Sequence, residues 1–385
     1  MADVAIDVTD GPGPLADFAI DVTDGPGPLY NCDAMSSAAN PTTAADTPTA
    51  PALPPHAQVI QMAGGHLVAK AIYALAELGV ADHLSDAPKT AEQIAPAIGA
   101  HAPSLYRLLR TMAAFGFFSE DDQRRFTLTP LGEALRSNAP GHARSTVRML
   151  AGPSVYVAVN ELLHSVKTGK TGFEKTHGKN IFDYLGEHAA EARIFNEAMI
   201  GFHGAEPPAV AAAYDFSDIG TLIDVGGGTG NLLTTILQAY PSMRGVLYDL
   251  PHVAKEAREA IAAKGLTARC DVKEGSFFES VPKGGDAYTL SHIIHDWDEE
   301  RCITILNNCR RAMTRDARLL LVEMVIPPGN DFHPSKFLDL IMLTLPGGKE
   351  RTVTEYKELF AKAGFELTNV VPTASPVSVV EGRPV

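Results

Sequence analysis

The sequence predicts an α/β protein in which a helix-covered parallel sheet follows a mostly α-helical N-terminal domain. Two observations predict this arrangement. After residue 217, short apolar segments rich in Val, Leu and Ile alternate with longer helical segments, a pattern typical of a parallel sheet. A glycine-rich loop at 226–230 then joins the first apolar segment directly to a helical one. Glycines at such a junction let the backbone turn tightly and approach a ligand.

Bulk composition narrows the functional classes. At 385 residues the chain is long enough for two domains. A net charge of -14 argues against nucleic acid as a partner, because its phosphate backbone demands a basic surface. No apolar run approaches the ~20 residues that cross a membrane, and no secretory signal pattern is present, so we expect a cytoplasmic protein without a membrane partner. Four cysteines are too few for a disulfide framework.

Residues 1–56 are predicted to be a disordered leader and linker. Residues 2–15 recur almost unchanged as residues 16–29, and each copy ends in Gly-Pro-Gly-Pro-Leu, which interrupts helices and strands. The following stretch to His56 is rich in Ala, Pro and Thr. Two copies are too few for a repeat fold.

Residues 57–213 are predicted to form a helical, winged-helix-like domain. An apolar stripe at helical spacing begins at Val59, and Thr90 with Gln93 matches a capping box. Phe115–Phe118 and Phe126–Thr129, separated by a polar turn, resemble a small hairpin. This layout occurs in DNA-binding proteins, but its arginines are matched locally by acidic residues. A packing or dimerisation module is therefore favoured over DNA binding, and further helices are expected from Ala139 to Ala213.

Residues 214–385 are predicted to form a Rossmann-like, doubly wound domain. Strands are expected at 221–225, 245–249, 268–274, 287–291 and 318–324, with helices at 253–264, 299–314 and 353–363. The Val- and Thr-rich segment 365–381 is expected to add edge strands. In such sheets, ligands bind beyond the carboxyl ends of the strands.

The loop after the first strand indicates a nucleoside ligand. Asp224 precedes Gly226, Gly228 and Gly230, but a dinucleotide fingerprint would need a third glycine at 231, which is Asn. Asp249 ends the second strand about 20 residues later, where an acidic residue binds a ribose diol. S-adenosylmethionine, converted to S-adenosylhomocysteine, is the leading cofactor.

His295 is the predicted general base. Imidazole titrates near neutral pH, and Glu323 or Glu350 could orient the ring. Asp296 and Trp297 are expected to begin the next helix. His292 is either part of the adenosine pocket or a packed polar residue, with packing favoured. A metal set of His292, His295, Asp296 and Asp298 was weighed, but the prediction is that no metal is bound.

Five motifs resemble S-adenosylmethionine-dependent O-methyltransferases of the plant caffeic-acid and animal acetylserotonin type, which include bacterial enzymes of secondary metabolism. They are Asp-Val-Gly-Gly-Gly-Thr-Gly (224–230), Tyr-Asp-Leu-Pro-His (248–252), Gly-Ser-Phe-Phe (275–278), His-Asp-Trp-Asp (295–298) and Pro-Gly-Gly-Lys-Glu-Arg-Thr (346–352). The resemblance covers about residues 57–385. It implies a homodimer formed through the N-terminal domain, whose helices help to cover the acceptor pocket of the partner.

The resemblance also implies residue roles. His295 would be the general base, flanked by Glu323 and Glu350. One departure is Ser291-His292, where plant relatives often have Lys-Trp. The residues expected to bind the cofactor are Asp224, Gly226, Gly228, Gly230, Asp249, Leu250, Gly275, Ser276, Phe277 and Ser291. Those expected to bind the acceptor are Phe195, Met199, Asp296, Leu340 and Met342.

The predicted function is methylation of a hydroxyl, expected to be phenolic, on a small aromatic or polyketide-like secondary metabolite. The reaction is expected to need no metal. Two alternative functions stay open. The protein could be a relative of the methyltransferases that binds S-adenosylmethionine yet catalyses hydroxylation, decarboxylation or a pericyclic rearrangement. It could also be a winged-helix regulator with a metabolite-binding domain.

Overall fold

The computed structural model describes residues 53–385. The predicted leader, with its tandem repeat, lies outside the described residues apart from its last four positions. The chain divides into two compact units at Val68, and the described parts of these units are residues 53–68 and 69–385.

The short N-terminal unit carries exposed apolar side chains. Helix α1 (Pro55–Ala63) ends at Gly64, and helix α2 (Gly65–Leu78) follows. Val59, Ile60, Met62 and Leu67 are all largely exposed. Together Pro55–Leu78 is long and apolar enough to cross a membrane, a test that core helices of soluble proteins also pass. This stretch corrects the expectation that no run of that length is present, because its two helices together contain few charged residues.

The remaining elements of the described chain agree closely with the predicted alternation. The helices are α3 (Ala91–Ile98), α4 (Ala102–Ala114), α5 (Pro130–Glu133), α6 (Ala143–Leu150), α7 (Pro153–Val159), α8 (Leu162–Thr168), α9 (Gly172–His177), α10 (Ile181–Glu187), α11 (Ala189–His203), α12 (Glu206–Ala213), α13 (Asn231–Ala239), α14 (Pro251–Ala263), α15 (Glu299–Ala312), α16 (Pro334–Thr344) and α17 (Val353–Lys362). The strands are β1 (Phe118–Glu120), β2 (Phe126–Leu128), β3 (Thr221–Val225), β4 (Arg244–Asp249), β5 (Cys270–Glu274), β6 (Ala287–Ser291), β7 (Arg318–Ile326), β8 (Arg351–Thr352), β9 (Phe365–Pro372) and β10 (Val377–Pro384).

The predicted winged-helix layout is confirmed. Thr90 and Gln93 form the capping box of α3, and β1 pairs with β2 as an antiparallel hairpin. Apolar side chains from α2, α4 and β2, among them Leu75, Leu109 and Phe126, form one buried core. Helices α6 to α12 then fill the region in which the sequence predicts further helices.

The main sheet has the strand order β5-β4-β3-β6-β7-β10-β9. Strands β5, β4, β3, β6 and β7 run parallel, as predicted. Strands β10 and β9 form an antiparallel hairpin, and β10 pairs with β7. The expectation of edge strands at 365–381 is thus only half right, because β10 lies between β7 and β9.

Burial on both faces explains why the central strands are continuously apolar. In β3, Leu222 packs in the core on one face of the sheet, whereas its neighbour Ile223 packs in the core on the other. Helices cover both faces of such a sheet, so adjacent residues of a strand are all buried.

The strand order also fixes the position of the site. The chain leaves β3 toward β4 on one side, and β6 occupies the other side of β3. Ligands bind where the strand order reverses in this way, beyond the carboxyl ends of the strands. The segments that follow β3, β4 and β6 therefore meet at one edge of the sheet.

Candidate active site

The glycine loop adopts a conformation that glycine favours. Gly226, Gly228 and Gly230 have φ values of 73°, 57° and 80°, in the left-handed region. Gly226 donates a backbone hydrogen bond of 2.8 Å to Tyr248 O in β4. A Cβ at Gly226 would lie 2.6 Å from Ile293 Cδ1, while a Cβ at Gly228 would meet no protein atom within 4 Å. The loop is tightly packed at its start and open at its middle.

Asp224 supports the loop from beneath. Its side chain is buried, and Oδ1 accepts a hydrogen bond of 3.0 Å from the hydroxyl of Thr289 in β6. A Cβ at Gly227 would come within 2.6 Å of Asp224 Oδ2. Burial raises the pKa of Asp224 to about 7, the Thr289 hydrogen bond opposes this rise, and nearby Asp249 adds to it.

Asp249 links the loop to the second strand. Oδ2 accepts a 2.8 Å hydrogen bond from the backbone N–H of Gly228, and Oδ1 accepts one of 2.7 Å from Leu250. Leu250 itself is exposed at the start of α14. Burial raises the pKa of Asp249, while the two backbone hydrogen bonds lower it. A carboxylate has about four acceptor positions, so Asp249 retains acceptor capacity for two hydroxyl groups.

The third strand contributes a second turn at the same edge. Gly275 donates to Asp249 O at 3.0 Å, and a Cβ at Gly275 would lie 2.3 Å from the Tyr248 hydroxyl oxygen. Phe277 follows, and its ring lies within 3.3 Å of the Cβ position of Gly226. Ser291 ends β6 beside these turns.

These residues fit S-adenosylmethionine. The open position at Gly228 admits a ligand close to the backbone, the spare acceptor capacity of Asp249 suits a ribose diol, and Phe277 offers an aromatic ring. The predicted cofactor residues on β3, β4 and β6 and the turns after them thus lie at one edge.

His295 lies in a short 3₁₀ turn, Ile294–Asp296, after β6. The predicted helix start at Asp296 and Trp297 is wrong, because Asp298 caps α15 by accepting a hydrogen bond from Arg301 N. The turn nevertheless fixes the imidazole, which is buried. Glu323 lies within β7, which continues to Ile326, two residues beyond the predicted strand end.

Two buried carboxylates face the same nitrogen of His295. Nδ1 lies 2.7 Å from Glu350 Oε1 and 3.4 Å from Glu323 Oε2. Glu323 also accepts a 2.9 Å hydrogen bond from Ile294 N. A carboxylate only accepts, so Nδ1 carries a proton, and in the neutral ring Nε2 has the lone pair that a base needs. Nε2 lies 3.6 Å from Asp296 Oδ1.

The electrostatic balance makes His295 a strong base. Burial alone lowers its pKa, but Glu323, Asp296 and Glu350 outweigh burial and raise the pKa to about 10. Burial also raises the pKa of Glu323; His295 opposes this rise and Glu350 adds to it. The surrounding carboxylates thus make His295 a stronger base than a free imidazole.

The segment 346–352 closes around the 3₁₀ turn. Gly348 packs so tightly that a Cβ there would lie 1.8 Å from His295 O. Arg351, fully buried, donates to Ile294 O at 3.1 Å. Glu350 N donates to Asp339 Oδ1 at 2.9 Å. The glycine, the acid and the arginine of this motif thus hold both the backbone and the ring of His295.

The residues predicted to bind the acceptor are spread over several helices. Phe195 lies in α11 and lines a cavity of about 220 Å³ together with Tyr73, Phe173 and Tyr184. Met199 lies one turn further along α11. In α16, Met342 is buried, whereas Leu340 is 43% exposed. His295 does not line the 220 Å³ cavity.

Several residues at the site escaped the sequence reasoning. Thr289 and Asp339 hold Asp224 and Glu350, but single polar residues in apolar segments give no sequence signal. Gly348 and Arg351 belong to a motif that had been singled out, so their spacing from Glu350 could have indicated them. Glu206, which contacts His292 at 2.7 Å, is 86 positions away from it along the chain.

Comparison with known proteins gives consistent matches along residues 60–366. The O-methyltransferase domain family matches residues 159–366, and the O-methyltransferase dimerisation domain family matches residues 60–138. The chain is 46% identical over 334 residues to the phenazine O-methyltransferase PhzM of Lysobacter antibioticus, covering 87% of this chain and 98% of that one.

Two further relatives differ in their acceptors. The 8-amino-8-demethylriboflavin N,N-dimethyltransferase of Streptomyces davaonensis is 36% identical over 320 residues, with 82% of this chain and 92% of that one covered. The crystal structure of NcsB1 from neocarzinostatin biosynthesis contains S-adenosylmethionine and 2-hydroxy-5-methyl naphthoic acid. It matches with a TM-score of 0.74 and 36% identity, over 83% of this chain and 96% of that one.

Proposed function

The chain belongs to the S-adenosylmethionine-dependent O-methyltransferase family, and we propose that its acceptor is a phenolic hydroxyl on a small aromatic or polyketide-like secondary metabolite. The observation that carries this proposal is the His295–Glu350 contact of 2.7 Å, which orients a buried imidazole whose pKa the surrounding carboxylates raise. NcsB1 supports this acceptor class, since it was crystallised with a hydroxylated naphthoic acid, whereas the riboflavin relative is named for methylation of nitrogen. No observation favours a reaction other than methylation.

In the proposed mechanism, His295 Nε2 removes the acceptor proton. Glu350 holds the ring through Nδ1, and Glu323 adds negative charge that stabilises the imidazolium as it forms. S-adenosylmethionine supplies a methyl group on an activated sulfonium centre and leaves as S-adenosylhomocysteine. The protein therefore contributes mainly positioning and removal of one proton.

The cofactor would be held by the edge of the sheet. Asp249 would accept hydrogen bonds from the ribose hydroxyls, and Phe277 would contact the adenine ring. The backbone turns at 226–230 and 275–276 would leave room for the nucleoside, with Leu250 and Ser291 at its border and Asp224 supporting the loop. On the acceptor side, Asp296 and Met342 would lie nearest the base. Phe195, Met199 and Leu340 would complete the acceptor pocket.

A homodimer through the N-terminal domain is also proposed. The dimerisation domain family matches residues 60–138, and α1 and α2 expose Ile60, Met62 and Leu67. Burial of such side chains against a second copy removes apolar surface from water. We also propose a functional division into a dimerisation domain at 57–213 and a catalytic domain at 214–385; the O-methyltransferase family match begins at residue 159, within the first of these. We also propose a cytoplasmic enzyme without nucleic-acid or membrane partners; the net charge of -14 supports the absence of a nucleic-acid partner.

The test is the variant His295→Ala, assayed with a panel of phenols by product mass. Methyl transfer should fall ~100-fold or more because the general base is lost. Calorimetric binding of S-adenosylmethionine, measured in the presence of chelator, should be unchanged because His295 is not among the cofactor residues. A variant that methylates at the wild-type rate would remove His295 from the mechanism.

A further inference from the structure

A second polar cluster lies beside the site and plays no part in the proposed mechanism. His203 ends α11, Glu206 begins α12, and His292 follows β6. The sequence interpretation favoured His292 as a packed polar residue. The fold instead places it against two side chains that are far away in the sequence.

The three side chains converge on one carboxylate oxygen. His292 Nε2 lies 2.7 Å from Glu206 Oε2, and His203 Nδ1 lies 3.1 Å from the same atom. The two imidazole rings are 3.8 Å apart between centroids. Glu206 is buried, with only 4% of its surface exposed.

These separations match those of metal ligands. Bonds of ~2.1 Å place neighbouring donor atoms about 3.0 Å apart in octahedral geometry and about 3.4 Å apart in tetrahedral geometry. The two nitrogen–oxygen distances of 2.7 and 3.1 Å, at which the imidazoles are hydrogen-bonded to the carboxylate, bracket the octahedral value. Two histidines and one carboxylate form a facial set that binds divalent transition metals and leaves other positions open for water.

Two further observations support a ligand at this cluster. Glu206 Oε1 and His292 Nδ1 are buried, yet neither has a hydrogen-bond partner within residues 53–385. His292 has a φ of 54°, a strained value for a residue other than glycine, and its N–H donates to Val322 O at 3.1 Å. Backbone strain of this kind costs on the order of 1–3 kcal/mol and is concentrated at functional sites. His203 is 28% exposed at its side chain and gives access from solvent.

A second set of possible ligands shares His292 and consists of His292, His295 and Glu323. In both sets the glutamate keeps one oxygen without a hydrogen-bond partner. In the second set, however, His295 Nδ1 is hydrogen-bonded to Glu350 at 2.7 Å, and this contact orients the proposed base. A metal ion bound through Nδ1 would displace that contact, so the set without His295 is the better candidate.

We propose that His203, Glu206 and His292 bind one divalent transition-metal ion of the Zn²⁺ or Co²⁺ type. The ion is not a reactant in methyl transfer, so this proposal and the proposed function can be tested independently of each other. The site lies close to the proposed base, because the ring centroids of His292 and His295 are 5.2 Å apart.

The experiment uses the full chain, stripped of metal with a chelator and then dialysed. Co²⁺ is titrated by visible absorption, which reports coordination geometry, and Zn²⁺ is titrated by calorimetry. The wild type should bind one ion per chain. Glu206→Gln and His203→Ala should each weaken binding at least 10–100-fold, because each removes a donor. His292→Asn should do the same while tolerating the left-handed backbone.

Controls separate the site from general effects. Glu381→Gln changes another buried glutamate, one that is bonded to Tyr214, and His333→Ala changes a histidine bonded to Ser335. Both should bind the ions as the wild type does. Wild-type affinity in Glu206→Gln and His203→Ala would overturn the proposal. So would an affinity lost in Glu323→Gln but kept in Glu206→Gln, which would place the ion at the second set. Absence of stoichiometric binding would overturn it too.

Discussion

Replacing Glu350 with Gln should change the pH dependence of methyl transfer in a defined direction. Glu350 is buried and lies 2.7 Å from His295 Nδ1. The amide can still accept the hydrogen bond, but the negative charge is lost. Because burial lowers the pKa of His295 and the carboxylates raise it, removing one carboxylate shifts the balance toward the neutral imidazole.

The size of the shift follows from the contact that changes. A hydrogen bond to a charged group contributes about 1.5–3 kcal/mol, compared with about 1 kcal/mol for a neutral one. The difference of ~0.5–2 kcal/mol corresponds to a shift of about 0.4–1.4 pH units, or about one unit, at ~1.4 kcal/mol per unit. In the wild type, the pKa of about 10 means that kcat/KM rises with pH up to that region. In Glu350→Gln this rise should be complete about one pH unit lower, and the plateau should be lower because the base is weaker.

The assay is kcat/KM for one phenolic acceptor, measured from about pH 6 to pH 10.5 in both proteins. Glu381→Gln, another buried glutamate, should keep the wild-type profile. Circular dichroism at each pH checks that the proteins stay folded. If the rise of kcat/KM with pH stays at the same pH or moves to higher pH in Glu350→Gln, Glu350 is not the partner that raises the pKa of His295.

Three other variants test separate parts of the structure. Gly348→Ala should lower activity at least ~10-fold and destabilise the fold, because its Cβ would overlap His295 O. The control Gly186→Ala should do neither, because no atom of the described residues lies within 4 Å of its Cβ position. Chemical denaturation combined with an activity assay distinguishes the two variants. In the wild type, the folded-state pKa of Asp224, about 7, lies above the ordinary 3.8, so the wild type loses stability as pH rises from about 4 through 7. Asp224→Asn lacks this titration and should therefore gain about 2–4 kcal/mol of unfolding free energy relative to the wild type over that window. Urea denaturation at pH 5 and pH 8 measures the difference, and a difference that does not change with pH would refute the prediction. Met62→Asp, at a side chain 76% exposed, should weaken dimerisation at least ~10-fold in analytical ultracentrifugation, and an unchanged dimer would exclude this helix from the interface.

The sequence predicted the catalytic half of the fold well because its local signals agree with its tertiary structure. Strands such as β3 are apolar at consecutive positions since both faces of the sheet are covered, and the glycines at 226–230 mark the turn that follows. The antiparallel hairpin was harder, because pairing partners are not encoded in local periodicity. Nothing in residues 377–384 indicates that they insert between β7 and β9.

The site was predictable where function places a residue in a motif, and not where packing places it. His295 was identified as the base from its chemistry and from the resemblance, with Glu323 and Glu350 as its partners. The fold brings both carboxylates within 3.4 Å of His295 Nδ1. The 3₁₀ turn at His295 was missed because Asp298 is a better cap than Asp296, and a turn of three residues has no periodicity. The contact between Glu206 and His292 depends on tertiary packing alone.

The most direct measurement is the mass and position of the label after incubation with S-adenosylmethionine carrying a deuterated methyl group and a phenolic acceptor. The wild type should add one deuterated methyl group to the hydroxyl oxygen, and His295→Ala, saturated with cofactor, should add ~100-fold less. Label on carbon or nitrogen, or equal labelling by both proteins, would contradict O-methylation with His295 as the base.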